Sequence, residues 1–195
     1  MRIGTGIRIE YLSSVWMTVE ALGSIGFGII AGSFALMAFG ADSLIELVSG
    51  FAVLMHLQKD ASGNDTHSKR TEQLTSALLF SLLPVIGLGA VYSYTTGLRP
   101  EGSPFGIAVA IGAVIFMPYL YFKKKAIGEE TRCQPLKMDA VESVTCFYMS
   151  VALLGGLLAE FFFGLWWVDY LATGVILAFV AREAVESYRE LHEEE

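Results

Sequence analysis

The stretch ALGSIGFGIIAGSFALMAFGA, residues 21–41, carries no charged side chain and runs directly into Asp42-Ser43-Leu44-Ile45-Glu46. A helix that crosses the apolar core of a bilayer needs about 20 mostly apolar residues at 1.5 Å rise each. Ala31-Gly32-Ser33 divides the stretch with a tight turn, so it reads as the end of one span and the start of the next. Leu74–Leu98 and Phe161–Val168 are likewise free of charge. Over the 195 residues, 54% are hydrophobic and 17% charged, with a mean hydropathy of +0.55. Soluble domains carry about 25% charged residues. This placement of charge excludes an ordinary soluble domain and a disordered chain, and the formal net charge of −7 speaks against nucleic-acid binding. Cys133 and Cys146 do not make a disulfide framework. The chain reads as all-α and polytopic.

Six spans are predicted, at about 10–31, 34–57, 74–97, 104–122, 137–159 and 163–184, in a single transmembrane domain covering 1–195. The breaks between them are polar at Lys59–Glu72, proline-bearing at Gly97–Pro104, charged at Lys123–Pro135, and a short reversal at Glu160–Gly164. No signal-peptide pattern precedes the first span. With both termini cytoplasmic, Arg99 is the only one of the 13 Lys and Arg residues placed outside. That bias predicts an N-in, C-in protein of the cell membrane. Lys123–Lys125 reads as a positive-inside anchor, ahead of binding to anionic lipid.

Acids inside a span each cost about 2.5–3.5 kcal/mol on insertion scales, so each is a functional candidate. Asp42 and Glu46 stand at i,i+4 on one helix face. They cannot both remain charged and unpaired in hydrocarbon, and no Lys or Arg lies mid-span in this reading. A bound cation or a proton is required. The fifth span repeats the device with Glu142 and Cys146, again i,i+4, and Asp139 nearly one turn earlier. Measured from the ends of their spans, Asp42 and Glu46 lie about 12 and 18 Å in from outside, and Glu142 and Cys146 about 8 and 14 Å in from inside. The two pairs then overlap in depth within a core about 30 Å thick. Three carboxylates and a thiol suit a tetrahedral site for Zn2+, with sulfur also favouring Cd2+.

At these residues the chain resembles the transmembrane domain of the cation diffusion facilitator, or cation efflux, family. Gly32–Leu36 followed by Asp42–Glu46 is similar to the second span of the family with its Asp-x-x-x-Asp pair. Met138–Cys146 resembles the fifth span, usually Asp-x-x-His-x-x-x-Asp, and Gly164–Asp169 resembles the approach to the sixth. The resemblance implies divalent metal export in exchange for protons by alternating access, with Asp42, Glu46, Glu142 and Cys146 as the transport ligands and a homodimer as the assembly. The implied cargo is zinc, with cadmium, cobalt and iron open, because Glu and Cys replace family ligands. No resident cofactor and no enzymatic activity are expected. Since the sequence ends at Glu195, the cytoplasmic metal-sensing domain of the family is expected to be absent.

Glu20 and Asp139 are read as a possible proton relay or access path. A pairing of Glu20 with a Ser or Thr on a neighbouring helix, and a helix-start role for Asp139, stay open beside that reading. Glu10 is placed at the interface, Asp169 as a cap or gate contact, and Glu160 in solvent. His67 with Asp65, and His192 with the acidic tail, are weak metal-collecting candidates against a plain solvated reading. Glycines such as Gly23, Gly26, Gly28 and Gly32 are read as sites of close helix contact. The rival functions are a proton-coupled carrier of another small cation, an intramembrane enzyme and a structural membrane protein. The one His within a span, His56, stands at the cytoplasmic end of the second, which leaves none deep in the membrane to serve an enzyme, and a carrier of organic cations has no need of Cys146.

Overall fold

The computed structural model describes residues 3–59, 68–131 and 133–193. These form six helices: α1 (Ile3–Ala31), α2 (Phe34–Lys59), α3 (Ser68–Thr96), α4 (Pro104–Thr131), α5 (Gln134–Phe163) and α6 (Trp167–Glu193). No strand occurs among the described residues. Five helices, α1 to α5, are long and apolar enough to cross a membrane. α6 carries Asp169, Arg182, Glu183 and Glu186 and falls short of that mark by composition. Large apolar side chains such as Ile30, Leu88, Val85 and Ile115 point outward. Helices that are apolar on all sides belong in lipid, and the molecule is a multi-pass membrane protein.

α2 sits at the centre and touches α1, α3, α5 and α6, while α4 packs on α1 and α5. Its placement follows from small residues. A Cβ added to Gly40 would lie 2.8 Å from the Ile25 backbone nitrogen, and one on Gly28 would lie 2.9 Å from the Met37 nitrogen. The α1 and α2 backbones therefore touch, which is how helices associate where lipid removes the hydrophobic drive between them. Ala35, Leu36, Ala38 and Phe39 are fully enclosed between these neighbours.

The turns are built locally. Gly32, at φ 67°, provides the left-handed residue that reverses α1 into α2. Ser33 caps α2 by accepting the Leu36 N–H at 3.1 Å. Ser103 caps α4 in the same way, accepting the Gly106 N–H at 3.0 Å, with Pro104 at the first helical position. α5 ends at Gly164, φ 65°, whose N–H bonds to the Glu160 carbonyl.

The helices outrun the expected spans mostly at one end of the bundle. α1 begins at Ile3, α2 ends at Lys59, α3 begins at Ser68, α4 runs through Lys123–Lys125 to Thr131, and α6 continues to Glu193. All five of these extensions lie at the Lys-rich end. Lipid thickness limits the apolar stretch, but it does not limit the helix, and Lys, Glu and Gln continue a helix well in water.

Candidate metal-transport site

The acids predicted from spacing fall on the central helices. Asp42 is fully buried and Glu46 is 4% exposed. None of their four carboxylate oxygens has a hydrogen-bond partner among the described residues. Glu142, on α5, accepts a hydrogen bond from Ser49 Oγ of α2 at 3.3 Å, and its Oε2 is without a partner. Cys146, fully buried, donates its thiol hydrogen to Glu20 Oε1 at 3.5 Å. Glu20 also accepts from Ser43 Oγ and from Trp16 Nε1, both at 2.7 Å. It is thus a junction between α1, α2 and α5, paired with a serine on the neighbouring helix.

Asp42, Glu46, Glu142, Cys146 and Glu20 all come to one buried region, within electrostatic range of one another. They do not close into a cage. Among the described residues no group of three or more His, Cys, Asp or Glu is drawn tightly enough to hold a metal ion.

Two features escaped the sequence reading. Glu183 of α6 faces the same region, within range of Asp42 and Glu142 and hydrogen-bonded to Thr145, while its Oε1 has no hydrogen-bond partner among the described residues. Its position beside Arg182 and above Glu186 makes it look like part of a solvated helix end, although its i,i+3 step from Val180 to the buried face was a usable signal. The second feature is Lys124. Its neighbours Lys123 and Lys125 are exposed, but Lys124 is fully buried and pairs with Asp139 Oδ2 at 2.5 Å and Glu10 Oε1 at 3.9 Å. A basic residue therefore does reach an intramembrane acid, and Glu10 is buried, not interfacial. Asp139 is held by this ion pair.

At the Arg99 end, Asp169 acts as a cap across the chain. It accepts from Ser33 Oγ at 2.5 Å and from the N–H groups of Phe34 at 3.1 Å and Ala35 at 3.4 Å. An acid at the positive end of α2 fixes the helix that carries Asp42 and Glu46. Glu160, expected in solvent, is buried beneath the α5–α6 reversal at 6% exposure. His67 lies outside the described residues, and so do the side chains of His56 and His192.

Comparison with known proteins adds two findings. The family model for the cation efflux transmembrane domain matches residues 11–192. The chain is 24% identical over 171 residues to the manganese efflux system protein MneS of Bacillus subtilis (strain 168), an alignment covering 84% of this chain. It spans 59% of the length of that relative.

Proposed function

The chain belongs to the cation efflux family, and from that premise we propose that it exports a divalent metal ion, zinc first, through the buried acids of α2 and α5. The observation that carries this reading is the pair Asp42 and Glu46: four enclosed oxygens on a central helix with no donor to satisfy them. Buried carboxylates without a donor either hold protons or take a cation that supplies the missing interaction, and both fit an exchange of metal for protons. Glu142 and Cys146 complete the ligand set, and a metal ion draws all four inward. Six crossings, α6 included, would leave both termini on one side, which the Lys and Arg bias assigns to the cytoplasm, and the working assembly is a homodimer.

Charge gives the cycle. The empty cluster carries protons, since adjacent carboxylates repel and burial disfavours charge. Metal arriving from the cytoplasm displaces them, and protons arriving from outside release the metal after the bundle has switched. A second cargo, manganese, has two supports. The relative MneS is named for manganese efflux, and three carboxylates with a thiol engaged by Glu20 offer hard oxygen donors first.

Uptake into proteoliposomes with an acidic interior tests the proposal, using zinc, manganese, cadmium, cobalt and iron in parallel. Flux of one or two of these metals, lost in Asp42→Asn and slowed when the pH gradient is collapsed, is the expected result. Active protein without metal flux overturns it and leaves a carrier of another small cation. Flux indifferent to the gradient overturns the proton coupling alone.

A further inference from the structure

Two turns along α2 from Asp42, toward the Lys-rich end, the same helix face arrives at Gly50, about 12 Å further on. There four helices meet. A Cβ added to Gly50 would find Glu10 Oε2 of α1 at 3.7 Å and Asp139 Oδ1 of α5 at 4.0 Å, and nothing else within 4 Å. The Glu10 and Asp139 carboxyls lie side by side, with Glu142 of α5 also in electrostatic range. From α4 a single cation faces them, the ammonium of Lys124.

The ammonium does not serve the two acids equally. Lys124 sits on Asp139 at 2.5 Å, yet Glu10 Oε1 is 3.9 Å away, beyond hydrogen-bond distance, and the fully enclosed Glu10 carboxyl meets at hydrogen-bond range, among the described residues, only the carboxyl of Asp139. One positive charge stands against two acids. Gly50 sets bare α2 backbone against the two carboxyls, where a Cβ would come into ordinary van der Waals contact with both. Lys124 itself is the middle of three consecutive lysines, and its neighbours on either side reach solvent.

We propose that Glu10 and Asp139 form a second divalent-cation site between the Lys-rich face and the Asp42–Glu46 cluster, occupied in this state by Lys124 as a tethered substitute for the incoming ion. The metal takes the two carboxylates by displacing the ammonium, which returns to solvent beside Lys123 and Lys125. Lys124 then sets the concentration at which the path admits metal, and its return behind the departing ion closes the path. This rests on the metal-export reading for its physiological meaning, but the site is a matter of binding and is tested without flux.

The experiment counts Zn2+ and Mn2+ bound at equilibrium to the full chain in nanodiscs. In an Asp42→Asn background, which disables the central cluster, adding Lys124→Gln is expected to tighten binding by about tenfold, a change of about 1.4 kcal/mol. Adding Glu10→Gln and Asp139→Asn to that protein should abolish the gain. A folded Lys124→Gln protein that binds no better than its parent overturns the proposal. Should that variant fail to fold, the wild-type chain answers. Saturating Zn2+ is expected to increase acetylation of Lys124 by an amine-reactive reagent, with Lys123 and Lys125 unchanged by mass spectrometry. Lys124 protected equally with and without metal marks a structural ion pair and overturns the site. Loss of flux reading in proteoliposomes with this binding intact would sink export while leaving the second site standing.

Discussion

Cys146 illustrates how much a single atom decides at the residue scale. Its thiol donates to Glu20 Oε1, which already accepts from Ser43 and Trp16. To serve as a metal ligand the sulfur must lose that hydrogen, since the thiolate is the binding form. Cys146→Ser removes the soft donor and keeps a hydroxyl able to bond Glu20. It is expected to lower cadmium and zinc affinity on the order of tenfold while sparing manganese, measured by competition in the flux assay. An equal loss for every metal would make Cys146 a packing residue. The i,i+4 spacing made Asp42, Glu46, Glu142 and Cys146 visible in the sequence. Glu183 and Lys124 stayed hidden because each stands among charged neighbours, and only the rotation of its helix turns it inward.

At the scale of the element, α2 depends on a partner far away in the chain. Its first turn presents free N–H groups, and Asp169 of α6 accepts two of them as well as the Ser33 hydroxyl. Asp169→Ala is expected to lower stability by about 1–2 kcal/mol, seen as an earlier melting transition in detergent. Asp169→Asn should recover part of the loss, because its side-chain oxygen still accepts. An unchanged transition in the alanine variant would reduce Asp169 to a bystander. The starts of α2 and α4 and the end of α1 agree with their apolar boundaries, where Gly32, Ser33 and Pro104 punctuate the chain. The opposite ends do not, because a hydropathy profile measures lipid thickness and is blind to a helix that continues into water.

For the whole molecule, the proposed six crossings set the Lys-rich end and the Arg99 end on opposite sides of the membrane. Cysteines introduced at Glu129 and Glu101 test this with a membrane-impermeant maleimide, since Cys133 and Cys146 are both buried. The Glu101 thiol is expected to label in intact cells, and the Glu129 thiol only after lysis. Labelling of both from outside would break the six-crossing topology. Neighbouring helices pack through backbone contact at Gly28 and Gly40, so the depth at which α1 faces α2 is set to within a fraction of a turn. That register brings Glu20 to Ser43 and Glu10 to Gly50.

By itself the sequence determined the membrane class, the helical architecture and the intramembrane acids of α2 and α5. These are properties of one segment at a time, carried by hydropathy and by the 3.6-residue period. The tertiary structure alone decided which acid has a partner. Asp139 and Glu10 receive Lys124, Glu20 receives Ser43, Trp16 and Cys146, and Asp42 and Glu46 receive nothing among the described residues. Pairing depends on the rotation and relative depth of separate helices, which are set by close contacts between residues distant in sequence, and no periodicity within one helix records them.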